Sequence, residues 1–81
     1  MGSFAIRIKV KDANRHILVG DGELTNRRLH AISFKTIDKA IEYAKWLLAH
    51  NKDEFVSAQV IKFHGGRVLR TFTAEDLGAA T

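Results

Sequence analysis

Residues 36–51 read TIDKAIEYAKWLLAHN and hold the one sustained helical period in the chain. At about 100° per residue, Ile37, Ala40, Ile41, Ala44 and Leu48 fall on a single stripe, with Leu47 at its edge. Thr36 is placed to cap the first turn, where Asp38 suits the positive end of the helix dipole. Asn51-Lys52-Asp53 ends the pattern, so a helix is predicted from Ile37 to about His50. A stripe of this kind has to be buried against another layer, and the flanking sequence supplies strands for it.

The other side of the same helix is unusual. Trp46, the only tryptophan, falls roughly 180° from Ile37, with Tyr43, Lys39 and His50 beside it. Interface hot spots are enriched in Trp, Tyr and Arg. One reading makes this a protein-binding or dimer face, in which Trp46 and Tyr43 anchor a polar rim of Lys39, Glu42 and His50. The other has the loop around residues 20–28, or the C-terminal tail, folded over both rings.

Upstream of the helix, Phe4, Ile6, Ile8 and Val10 alternate with Ala5, Arg7, Lys9 and Lys11, the signature of a half-buried strand. Asp12 to Arg15 carries turn chemistry. His16 to Val19 reads as the returning strand, Gly20-Asp21-Gly22 as a bend, and Leu29 to Phe34 as a third strand. Downstream, Phe55 to Phe63 and Arg67 to Thr73 form a hairpin through Gly65-Gly66, which supplies the positive φ of a tight turn. Thr73 to Leu77 has the pattern of a short capped turn, and residues 78–81 are expected to fray. The order β-β-β-α-β-β predicts an α+β fold: an antiparallel sheet with one helix packed on one face. The last hairpin is free to pair with the first strand or the third.

The hairpin itself is patterned on both faces. In a simple register Phe55, Ile61, Phe63, Val68 and Phe72 share one side, and Val56, Ala58, Val60 and Leu69 the other. Either a bulge near Ile61-Lys62 corrects the phase, or the second face is covered.

With 81 residues, the chain suits one domain, residues 1–81. At 46% hydrophobic and 27% charged residues it has enough apolar side chains to fold. The absence of cysteine excludes disulfides, thiolate nucleophiles and Cys-based zinc sites. No run approaches the roughly 20 apolar residues of a membrane span, and no signal-peptide pattern opens the sequence. A cytoplasmic protein that does not enter membranes is expected.

A net charge of +4 favours acidic surfaces or nucleic acid without selecting either. Arg7, Lys9 and Lys11 point the same way from the first strand, and Lys62, Arg67 and Arg70 lie on strands of the same sheet. Such lysines often guard an edge strand against pairing with other chains. The functional alternative is phosphate contact by Arg7, Lys9, Lys11, Arg67 and Arg70. This side of the first strand shows cations and Ala5 but no ring for base stacking, so such binding would run through the backbone and be weakly sequence-specific.

His16, His30, His50 and His64 lack the mutual spacing and carboxylate company of a metal site. The glycine pairs lack the strand–glycine–helix setting of a phosphate loop. No nucleophile, base and oxyanion donor come together, so the chain is read as non-catalytic, with no cofactor and no metal.

From Ile32 to Phe72, the sequence enters its helix through Phe34-Lys35-Thr36 and turns its hairpin at Val60-Ile61 and Gly65-Gly66. In this it resembles small proteins of bacteriophages and mobile elements, including anti-CRISPR-type inhibitors. The resemblance spans about half the chain, rests on architecture, and transfers no binding residues. It implies stoichiometric inhibition of a nucleoprotein or defence complex, through a protein or nucleoprotein partner. Homodimerisation stays open. The alternative is a weakly sequence-specific nucleic-acid-binding domain using the basic sheet face. The double-stranded-RNA-binding domain fits less well in its order of elements, and the RNA-recognition motif lacks its aromatic strand signature here.

Overall fold

The alternation that begins at Phe4 becomes strand β1 (Phe4–Val10), around which the molecule is arranged. A computed structural model describes residues 2–74. It adds β2 (Ile17–Val19), β3 (Leu24–Thr25), a single 3₁₀ turn (Arg28–His30), α1 (Ile37–His50), β4 (Phe55–Lys62) and β5 (Val68–Thr73). The strands form one antiparallel sheet in the order β3-β2-β1-β4-β5. The helix packs across one face, against β1, β4 and β5. This is the expected α+β architecture.

Pairing between β1 and β4 builds the core. Ile6 lies opposite Val60 and Ile8 opposite Ala58, so two apolar stripes merge into one surface. Ile6, Ile8, Leu48 and Val60 are the largest side chains removed entirely from water. Short side chains on α1 (Ala40, Ala44) and on β4 (Ala58) are also fully buried, which lets the two layers approach closely. The cap forms as expected: the Lys39 amide donates to Thr36 Oγ1 at 3.3 Å. At the other end Asn51 Nδ2 donates to the Leu47 carbonyl, satisfying one of the last free acceptors.

Three expectations from sequence are corrected. Leu29 to Phe34 is not a strand. Its first residues form the 3₁₀ turn, and Leu29 stands 96% exposed. The rest runs across the end of the sheet, touching it through isolated bridges at Gly20–Ala31 and Phe4–Phe34. Ile32 N–H donates to the Val19 carbonyl, and Ser3 and Phe4 both donate to the Phe34 carbonyl. The sheet end therefore absorbs the hydrogen bonds a strand would have made, while Ile32 and Phe34 pack on the core. The third strand is instead the two-residue Leu24–Thr25.

The second correction concerns β1, which is the central strand and no edge, so its basic residues do not guard an edge. The third concerns the hairpin. Register shifts fall between Lys9 and Val10 on the β1 side and between Val60 and Ile61 on the β5 side. The bulge expected near Ile61-Lys62 is present, at Val60-Ile61, and what changes is which residues share a face. With these two shifts Phe72 lies opposite Ala58 and Phe55 opposite Val10, both packed on the core under α1. Ile61 goes to the opposite face of the sheet, beside Ala5, where both are nonetheless buried.

Gly65 and Gly66, with φ of 90° and 70°, turn the hairpin as the sequence indicated. Gly20 is held for another reason: a Cβ there would come within 2.8 Å of the His30 carbonyl oxygen. No helix among the described residues is long and apolar enough to cross a membrane. The short turn expected at Thr73 to Leu77 starts at the last residue of β5, and the rest of it beyond residue 74, with the fraying expected at 78–81, lies outside the described residues.

Candidate functional site

Two surfaces carry the residues singled out in the sequence, one on each side of the molecule. Four rings form a ladder that runs from Phe34 and Tyr43, packed against the core, to Trp46 and His50 on the exposed side of α1. Phe34 meets Tyr43 at 5.6 Å between centroids, Tyr43 stacks on Trp46 at 5.7 Å, and Trp46 stacks on His50 at 4.4 Å. The helix produces the last two steps directly, since positions 43, 46 and 50 recur three and four residues apart. His50 is tied down because its Nδ1–H donates to the Trp46 carbonyl at 2.9 Å. A carbonyl can only accept, so this bond sets the tautomer.

Trp46 remains 50% exposed. Beside it an open groove of about 720 Å³ runs between α1 and residues 33–36, lined by Phe34, Tyr43 and Trp46 with Lys35, Lys39 and Glu42. Four of the five residues assigned to this face line the groove or its rim, and His50 backs the tryptophan. The residue that the sequence missed is Phe34. Placed in a strand by its neighbours, it is held by the sheet-end hydrogen bonds and turned towards Tyr43.

The second surface is the sheet face opposite α1. Arg7 pairs across to Leu18 and Gln59, and Lys9 to Ser57, so these side chains share that face. Near its Phe4 end lies a small pocket of about 190 Å³, lined by Ala5, Arg7, Leu18, Arg28, Ile61, Phe63, Gly65 and Gly66. Arg7 Nη2 donates to the Gly66 carbonyl at a long 3.4 Å, and its Nε–H is buried with no acceptor. Further along, His16 Nε2 and Ser57 Oγ share a 2.6 Å hydrogen bond. Burial, reinforced by the charges of Arg7 and Lys9, holds the His16 pKa below its ordinary value.

The cations expected to act together are therefore divided. Arg7 and Lys9 share the open face. Lys11 lies beyond the far end of β1, where its amide donates to the Glu54 carbonyl. Arg67 sits at the hairpin, beside the pocket's glycines. Arg70 lies opposite Val60 and Lys62 opposite Phe4, register positions that belong to the helix side of the sheet. Lys62 and Arg70 are thus separated from Arg7. Two residues absent from the sequence-based set join it. Arg28 arrives from the 3₁₀ turn, a placement that no local pattern signals. Phe63 continues the two-residue period of Gln59 and Ile61, so this face does carry a ring, contrary to expectation.

Among the described residues, no cluster of three or more His, Asp or Glu side chains is placed to hold a metal ion. No protein-family model, curated protein or solved structure matches this chain.

Proposed function

We propose that this chain is a non-catalytic binding module that engages a protein partner through the aromatic face of α1. The observation that carries the reading is Trp46, half exposed yet stacked between Tyr43 and His50. Rings immobilised before binding lose little entropy on contact, which suits a hot spot. The groove beside Trp46 offers apolar walls with Lys35 and Lys39 at its rim. It fits a segment that inserts an apolar side chain and carries carboxylates next to it. Stoichiometric inhibition of a nucleoprotein or defence complex is the most concrete form of this reading, following the likeness to anti-CRISPR-type inhibitors.

A second reading, nucleic-acid binding on the opposite sheet face, is favoured by one specific observation: Arg7 and Lys9 lie on the central strand, where edge protection is not needed. Parallel capture from cells with the wild type, Trp46→Ala and a charge reversal of Arg7, Lys9 and Lys11 separates the two. The aromatic reading expects one defined protein that binds the charge-reversed variant normally and Trp46→Ala at least about 2 kcal/mol more weakly. Binding retained by Trp46→Ala and abolished by charge reversal overturns it.

A further inference from the structure

Arg7 is tied to the fold at both ends of its side chain. It leaves the central strand and reaches the hairpin loop at Gly66, in a pocket that Ala5 and Ile61 also line. Its guanidinium is poorly matched there. The Nη2 contact is long, and the Nε–H is out of water with nothing to accept it. Orphaned buried donors are uncommon in folded proteins, and a bound water or ion is one way such a group is satisfied.

The surroundings are consistently cationic. Arg28 forms part of the same wall, and no Asp or Glu lines the pocket. Among the described residues neither arginine has a carboxylate partner. The charge is felt nearby as well, since Arg7 and Lys9 both disfavour protonation of His16. Opposite the arginines, Gly65 and Gly66 present backbone with open space where a Cβ would stand. The pocket's 190 Å³ equals about six waters at their share of the liquid, enough for a tetrahedral oxyanion. Phe63 borders it, and its ring meets His64 edge-on at 5.2 Å.

We propose that the pocket between Arg7, Arg28 and the Gly65-Gly66 turn binds a phosphoryl group, with Phe63 beside it as the surface for an attached sugar or base. Guanidinium forks match phosphate oxygens in geometry and charge, and two arginines line this pocket. The phosphoryl group arrives either on a small phosphorylated molecule or in the backbone of a nucleic-acid strand. Both sources present the same oxygens to the arginines.

The test is a titration of isotope-labelled full-length protein, followed by NMR, with three probes: inorganic phosphate, a nucleoside monophosphate and a single-stranded oligonucleotide. Inorganic phosphate is expected to shift the Gly65 and Gly66 amides and the Arg7 Nε–H, and to raise the His16 pKa by cancelling part of the Arg7 field. Arg28→Gln, on an exposed turn, should weaken binding about tenfold, while Arg27→Gln next to it should not. Arg7→Gln should abolish binding, and if that variant does not fold, Arg28→Gln still decides. Competition by the oligonucleotide, with a salt dependence that becomes shallower by about one phosphate in Arg28→Gln, assigns the source to nucleic acid. Binding of the monophosphate without the oligonucleotide assigns it to a small molecule. Equal effects of Arg27→Gln and Arg28→Gln, or no response at Gly65, Gly66 and His16, overturn the proposal. Trp46→Ala should bind phosphate normally, so failure here and failure of the α1 reading are distinguishable.

Discussion

Two neighbours on α1 illustrate how position rather than residue type sets a side chain's role. Leu48 is completely buried and Trp46 is half exposed, although tryptophan is the larger apolar surface. Truncating Leu48 leaves a cavity under the helix, and Leu48→Ala is expected to cost about 2–5 kcal/mol. That is a large part of the roughly 5–15 kcal/mol available to a domain. Trp46→Ala removes stacking on Tyr43 and His50, worth about 1 kcal/mol, and opens no interior void. Urea unfolding of the two variants gives the comparison directly. A Trp46→Ala loss as large as that of Leu48→Ala would place the indole in the core. Iodide should correspondingly quench the fluorescence of the isolated protein.

His16 provides the pH-sensitive counterpart. Its pKa is held below the ordinary 6.5 by burial first, then by Arg7 and Lys9. Well above 6.5 it is neutral in both folded and unfolded chains and contributes no pH dependence. As pH falls below 6.5 the unfolded chain takes up a proton that the folded one resists, so stability declines. The decline ends once pH passes the lowered native value. Denaturation midpoints between pH 7 and pH 5 should show this slope, and His16→Asn should flatten it. An unchanged slope in that variant would assign the effect to other groups.

At the level of elements, α1 was the most legible because its signals agree. Stripe, cap and terminating residues all place it at Ile37–His50, where it is found. The Thr36 cap is exposed and acts on a single amide, so Thr36→Ala should lower stability by about 1 kcal/mol while Thr36→Ser leaves it nearly unchanged. Thermal melts of the pair check this. A loss in both would point to the threonine methyl group rather than the hydroxyl. The segment from Leu29 to Phe34 reads locally as a strand because of its apolar residues, but no partner strand runs beside it. Its backbone is satisfied crosswise by Val19 and Phe4, which lie far away in sequence. The hairpin was legible in its turn but not in its faces, since bulges reverse the inside–outside alternation without altering composition.

For the whole molecule, the layout separates two surfaces that the sequence interleaves. The aromatic ladder emerges at Trp46 on the outer side of α1, and the arginine pocket opens on the sheet face that α1 does not cover. Periodicity alone determined the helix, its buried stripe, the exposed side of Trp46, the first strand and the glycine turn, because each depends on residues within a few positions of one another. Tertiary structure decided the rest. Inserting β4 beside β1 made β1 central, and crossing the sheet end carried Phe34 to Tyr43. Folding the 3₁₀ turn back towards the hairpin brought Arg28 to the pocket beside Arg7. These outcomes depend on which long-range pairing buries the most apolar surface while satisfying the backbone, a competition that no local pattern records.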